Sequence, residues 1–154
     1  MFTRIVSGGQ TGVDRAALDV ALELEIDCGG WCPQGRRAEG GPIPPRYPLK
    51  ETPWDGYPQR TEWNVRDSDG TLILTHGEPD RGTAFTLRLA EQQQKPCLVV
   101  RLEEKWDFDA VRKWIDGNGI ETLNIAGPRE SSSPGIHETA KRFLRALLTS
   151  EPEA

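Results

Sequence analysis

The sequence predicts an α/β three-layer sandwich built on a mainly parallel sheet of about five strands. Two observations carry this expectation. Five short apolar runs alternate with segments of helical periodicity, and the runs in the middle of the chain are apolar almost throughout, as strands covered on both faces are. A length of 154 residues suits one domain, expected over residues 1–150 with a frayed acidic tail at 151–154.

The first strand is Thr3–Ser7. Val13, Ala16, Ala17, Val20, Ala21 and Leu24 then recur on one face of a helix. Ile26–Trp31 reads as the second strand, and a short helix over Gln59–Arg66 leads through Ser68-Asp69-Gly70 to the third, Thr71–Thr75. The next helix runs Thr83–Gln94 and stops before Lys95-Pro96, because the residue preceding a proline disfavours helical backbone. Cys97–Leu102 is the fourth strand, Asp107–Asp116 a helix ended by Gly117-Asn118-Gly119, and Thr122–Ala126 the fifth strand. Ile136, Ala140, Phe143, Leu144, Leu147 and Leu148 form the apolar stripe of the last helix, with Ser133 expected as its cap and Pro134 in its first turn.

Sixteen glycines and twelve prolines make up about 18% of the chain, against a usual sum near 12%. Seven prolines and four glycines fall in one segment, residues 32–58, which also holds Tyr47, Trp54 and Tyr57. Disordered linkers are poor in aromatics, so an ordered, proline-stiffened functional loop is expected here. The net charge of −5 disfavours a nucleic-acid partner. No run approaches the roughly 20 apolar residues that span a bilayer, and the start MFTRIVSGGQ has no secretory pattern, so a cytoplasmic protein without membrane association is expected. The three cysteines, Cys28, Cys32 and Cys97, read as free thiols. Their spacing, with His76 and His137 isolated, predicts no structural metal.

The strongest local signal is Ser7-Gly8-Gly9-Gln10-Thr11-Gly12, between the first strand and the first helix. Ligands of α/β folds lie beyond the carboxyl ends of the strands, and a glycine turn opening a helix lets backbone N–H groups approach an anion. A small-molecule ligand with a phosphate or other oxyanion is therefore expected. On that reading, a valine at Gly9 should abolish ligand binding while leaving the fold largely intact. Asp14 either complements the helix dipole or meets a ligand ring or ribose, and Arg15 is a candidate phosphate partner. Arg129, Ser131 and Ser132 repeat the same logic after the fifth strand, and Gly82-Thr83 does so after the third. Arg36 and Arg37, beside Glu39 in the long loop, either close over a polyanion or are solvated. Arg60, Thr61, Asn64 and Asp67 share a polar helical face, and Trp31, Trp54 and Tyr57 are candidate apolar walls.

Four stretches carry a family resemblance: Ser7–Asp19 (SGGQTGVDRAALD), Gly29–Glu39 (GGWCPQGRRAE), Pro45–Leu49 (PRYPL) and Arg60–Leu74 (RTEWNVRDSDGTLIL). With Ala126–Ser131 (AGPRES), they closely resemble the putative molybdenum carrier family over nearly the whole chain. The resemblance implies a Rossmann-like fold related to the lysine-decarboxylase-like nucleotide-binding proteins, and a homo-oligomer, dimer or tetramer. It also implies the molybdenum cofactor (molybdopterin) or molybdate as ligand and a molybdoenzyme as acceptor. By position, Gly8–Gly12 would hold the phosphate or oxyanion end, with help from Arg129 and Ser131. Two positions depart from the family pattern: Gly40-Gly41 stands where Asp-Gly is expected, and Gly82 is one glycine where relatives often show two.

Three functions fit these residues. A non-catalytic carrier of the molybdenum cofactor is the first expectation, and a sensor of a nucleotide or NAD derivative is the alternative. A nucleoside-monophosphate phosphoribohydrolase fits least, because Thr86 stands where that group carries its catalytic glutamate.

Overall fold

The structure is a computed structural model that describes residues 2–149. Five strands form one wholly parallel sheet: β1 (Arg4–Val6), β2 (Asp27–Gly29), β5 (Gly70–Thr75), β6 (Cys97–Arg101) and β7 (Thr122–Ala126), in the order β2-β1-β7-β5-β6. A separate two-stranded parallel ribbon pairs β3 (Trp31–Cys32) with β4 (Lys50–Glu51). Five helices complete the chain: α1 (Val13–Glu23), α2 (Tyr57–Arg66), α3 (Arg81–Gln92), α4 (Phe108–Gly117) and α5 (Ile136–Thr149). This is the expected Rossmann-like α/β architecture. The expected tail, 151–154, lies outside the described residues.

Handedness places the layers. Parallel strands joined by right-handed crossovers send a helix to one face when the chain moves left along the sheet and to the other when it moves right. The connections β1–α1–β2 and β6–α4–β7 move one way. The paths β2–α2–β5 and β5–α3–β6 move the other. Packing agrees: α1, α4 and α5 share the main core with Ile5, Leu72, Leu74, Leu123 and Ile125, while Val65 of α2 packs with Leu89 and Ala90 of α3 in a separate cluster. All six residues of β5 are buried, as a central strand requires. The equally apolar β6 is half-exposed because it is an edge strand, with β5 on one side only.

The second expected strand, Ile26–Trp31, is broken in two. Asp27–Gly29 pairs with β1, then the chain turns at Gly30 and Trp31–Cys32 enters the small ribbon. Gly30 has φ +127°, and a Cβ there would lie 2.4 Å from the Ser7 carbonyl oxygen. Only glycine makes that turn without clash or strain.

The ribbon is the base of the long loop, which has its own small core of Leu18, Cys32, Ile43 and Tyr47. Arg36 organises it: the guanidinium donates to the carbonyls of Ile43 (2.9 Å), Pro44 (2.7 Å), Tyr47 (2.9 Å) and Leu49 (3.5 Å). The Tyr47 hydroxyl donates to Asp19 of α1 (2.6 Å), whose other oxygen meets Nε2 of His137 on α5 (2.9 Å). The loop is therefore fastened across the helix layer.

Helix starts follow local chemistry. The carboxylates of Asp80 and Asp107 accept from the N–H groups of Thr83 (2.8 Å) and Ala110 (3.0 Å) and cap α3 and α4. The last helix departs from expectation. The Glu130 carboxylate, not Ser133, accepts from the N–H groups of Gly135 (2.6 Å) and His137 (3.0 Å), so the helix opens at Ile136.

Replacing Gly30 with alanine combines steric overlap with a left-handed backbone strain. Gly30→Ala is expected to lower unfolding free energy by about 2–4 kcal/mol, measured by urea denaturation.

Candidate functional site

A cavity of about 550 Å³ opens at the carboxyl ends of β1, β7 and β5. The chain leaves β1 toward β2 but passes from β5 toward β6 in the opposite sense, with β7 filling the gap. Strand order reverses here, which is where open α/β sheets leave a crevice for ligands. Gly8 and Gln10 line the floor with Asn124, Ala126 and Gly127, and α2 and α3 supply the walls through Tyr57, Arg60, Thr83, Phe85 and Thr86. The lining side chains are hydroxyls, amides, carboxylates, guanidiniums and two aromatic rings.

The centre of the site is a buried ion pair. Arg60 Nη1 donates to Asp14 Oδ2 and to the Gly8 carbonyl, both at 3.1 Å, and the guanidinium lies over the Tyr57 ring, 5.3 Å from its centroid. Asp14 also accepts from the Gln10 N–H at 3.3 Å, and the Ser7 hydroxyl donates to the Asp14 carbonyl at 2.8 Å. Burial pushes the Asp14 carboxyl up to about 6, against the opposing pull of Arg60, the Gln10 N–H and Arg15. Two buried polar atoms of the cavity walls, Arg60 Nε and Thr83 Oγ1, have no hydrogen-bond partner among the described residues. Thr86 Oγ1, by contrast, donates to the Gly82 carbonyl at 3.1 Å.

The glycine turn is closed on itself. Gly9 N–H donates to Ser7 Oγ (3.4 Å), Gln10 N–H to Asp14, and Thr11 N–H to Gln10 Oε1 (3.0 Å). The turn therefore meets the cavity through Gly8 and the Gln10 side chain more than through free amides. Gly9, at φ +77°, faces away from it: a Cβ there would lie 2.5 Å from Leu49 Cδ1 and 2.9 Å from Ile43 Cδ1. The expectation that Gly9→Val leaves the fold largely intact is thus corrected, since a valine collides with the loop core.

Of the residues singled out from sequence, Gly8, Gln10, Asp14, Asn64, Gly82, Thr83, Arg129 and Ser132 line the cavity. Asn64 is also a brace, accepting from the Trp31 N–H (2.8 Å) and donating to the Trp31 carbonyl (2.9 Å). Tyr57, Arg60 and Thr61 of α2 line the cavity too, and the remaining ones lie around it. Arg15 donates to the Gly9 carbonyl (3.1 Å), Arg36 is engaged by loop carbonyls, and Arg37 donates to the Asp55 carbonyl (3.1 Å). Gly12 caps α1. The Trp31 indole donates to Asp67 (2.7 Å) and packs edge-on against Trp63, while Trp54 is exposed; only Tyr57 of the three expected walls faces the cavity.

Thr11, Ser131 and Arg129 meet at the cavity rim around Glu39 of the long loop. The carboxylate accepts from the Thr11 hydroxyl, the Ser131 N–H (3.1 Å) and the Ser131 hydroxyl (2.6 Å), with Arg129 Nε 3.7 Å away. Burial opposes ionisation, but the Ser131 and Thr11 hydrogen bonds and the Arg129 charge hold Glu39 below the usual carboxylate range.

The polar-face reading named Arg60 without assigning it to the site. Asn124, Phe85 and Thr86 were missed. Asn124 carried a signal, as the lone amide in the apolar run TLNIA. Among the described residues no group of three His, Cys, Asp or Glu side chains could hold a metal, and no helix is long and apolar enough to cross a membrane. Burial raises all three thiols, Cys97 to about 11.

A parallel sheet with a polar cavity at its topological switch point defines a Rossmann-like α/β protein. The chain belongs to the circularly permutated YpsA SLOG family, whose model matches residues 5–148. It is similar to the crystal structure of a protein named "Putative molybdenum carrier protein" from Syntrophus aciditrophicus SB, with 48% identity, 96% of each chain covered and a TM-score of 0.92. No curated protein matches it significantly.

Asp14 gives the site a pH signature. Its carboxyl titrates near 6 when folded and at the ordinary 3.8 when unfolded, so between those values the native state keeps a proton that the unfolded chain has lost. Its contribution to stability is therefore greatest below pH 4 and declines as pH rises to 6. Relative to wild type, Asp14→Asn should gain on the order of 3 kcal/mol across that window, measured by urea unfolding at pH 4, 5, 6 and 7.

Proposed function

We propose that this protein is a non-catalytic carrier whose strand-end cavity holds the molybdenum cofactor, molybdopterin. The observation that carries the reading is the polar cavity at the switch point, whose lining residues Arg60 and Thr83 hold two of the four buried side-chain atoms without a partner among the described residues; Arg15 Nε and Thr75 Oγ1, the other two, lie outside the lining. Buried polar groups are nearly always hydrogen-bonded, so unpartnered atoms in a cavity wall suit a ligand that reaches them. The name of the structural neighbour and the shared family support the choice of cargo.

The residues suit that cargo in three respects. The cavity volume falls in the range that takes a small-molecule ligand. Arg60 and Arg129 supply positive charge for a phosphate or oxyanion end lying against Gly8 and Gly82-Thr83 of the two turns. The Tyr57 and Phe85 rings offer walls to a pterin, and Asp14, Gln10 and Asn124 offer partners for its nitrogens. The bound group supplies the metal chemistry to whichever enzyme receives it; this chain binds, orients and shields. On this reading the carrier works in the cytoplasm as a homo-oligomer and delivers to a molybdoenzyme.

Thr83→Val separates a ligand role from a structural one. Removing a buried hydroxyl that has no partner should raise the stability of the free protein by about 1 kcal/mol. The same change should weaken retention of isolated cofactor about fivefold, through one lost hydrogen bond. Gel filtration of the protein mixed with isolated cofactor, beside an unrelated Rossmann-like protein, gives the retention. A thermal-shift series with adenine nucleotides, molybdate and tungstate tests the alternative: stabilisation by nucleotides alone makes the protein a nucleotide binder.

A further inference from the structure

The rim cluster around Glu39 is a built oxyanion site with an occupant from its own chain. Three donors and one cation from two separate segments converge on one carboxylate: the Thr11 hydroxyl, the Ser131 N–H and the Ser131 hydroxyl donate to it, and the Arg129 guanidinium pairs with it at 3.7 Å. Thr11, Arg129 and Glu39 itself are held by further bonds. Thr11 Oγ1 accepts from the Glu130 N–H at 3.2 Å, Arg129 Nε donates to Ser132 Oγ at 3.4 Å, and Gln10 Oε1 accepts from the Glu39 N–H at 2.9 Å. Hydroxyls, an amide and a guanidinium aimed at two oxygens are the recognition set of a carboxylate and equally of a tetrahedral oxyanion. Arg129 and Gln10 also line the main cavity, so the cluster adjoins it.

We propose that Glu39 is a competing internal ligand of the rim donors Thr11, Ser131 and Arg129, the position that the family resemblance gives to the oxyanion end. A phosphate group or a molybdate-type oxyanion takes the same donors and displaces the Glu39 carboxylate, which breaks the loop's side-chain tie to this rim. The subsite deepens the carrier reading above, for it shares Arg129 with the anion position given there and names the donors on its rim side, and it ties binding of an anion to release of Glu39. The apparent affinity of such a site is its intrinsic affinity reduced by the fraction of molecules in which Glu39 has let go.

The test measures calorimetric binding of inorganic phosphate and, separately, of molybdate to the full chain. Glu39→Ala should bind phosphate about tenfold more tightly than wild type, as expected if Glu39 vacates the site in roughly a tenth of molecules. Phosphate should restore the thermal stability that Glu39→Ala loses. Adding Ser131→Ala to Glu39→Ala should cut the gain about fivefold, because the Ser131 hydroxyl is then removed while the other donors stay. A gain undiminished in the double variant shows a general charge effect and overturns the subsite, as does a phosphate affinity unchanged or weakened in Glu39→Ala. Glu39→Gln, isosteric and neutral, keeps the loop tie and should fall between the two, which guards against a folding defect in the alanine variant. Tightening for phosphate but not molybdate assigns the subsite to phosphate groups, and the reverse assigns it to the molybdate class. Retention of isolated cofactor is scored separately: a protein that retains cofactor without the phosphate effect lacks the subsite alone, and one showing the phosphate effect without retention overturns the carrier reading alone.

Discussion

Arg60 reaches from α2 to the Gly8 carbonyl and the Asp14 carboxylate, and it does so from a buried position where neither charge keeps its hydration. A buried pair of this kind is worth little as net stability, because desolvation offsets the attraction. Removing Arg60 is another matter and costs about 3–5 kcal/mol, since the buried Asp14 carboxylate is left without its cation. The pair therefore acts as a constraint on geometry. It fixes the distance between the β1 turn and the helix that follows the long loop. The cavity lies between those two elements, so its width follows from one guanidinium.

A second guanidinium does the same work one layer out. Arg36 gathers four carbonyls of the long loop, which cannot pair in a sheet because proline recurs through the segment. Tyr47 and Asp19 then fasten the loop to α1, and His137 carries the connection to α5. The site thus depends on two arginines with opposite surroundings: one beside the cavity, near a carboxylate, and one inside a loop, among neutral carbonyls.

The sheet was legible because its signals are local. A run such as TLILT, apolar on both faces, admits few alternatives to a central strand, and the helices around it show regular apolar stripes. The break between β2 and β3 was not legible. Gly29-Gly30 sits inside the run Ile26–Trp31, and nothing in that run says that Gly30 must approach the Ser7 carbonyl. The site was half legible for a related reason. Turn residues announce themselves by type and place, which is how Gly8, Gln10, Asp14 and Thr83 were found. Arg36, Arg60 and Glu39 owe their roles to partners 7 to 92 residues away in sequence. Their residue types named the chemistry available, and only the fold showed where each was used. The cap of the last helix teaches the same lesson at short range, because Glu130 reaches forward past a serine that had the expected type and position.

The lining of the cavity has a kinetic meaning. Its side chains offer hydroxyls, amides, carboxylates, guanidiniums and rings, a set in which no soft donor competes for a metal. Whatever occupies it is gripped by hydrogen bonds and charge, interactions that exchange with water one at a time. A ligand held this way would leave by trading its hydrogen bonds for water one after another, with its own covalent structure untouched.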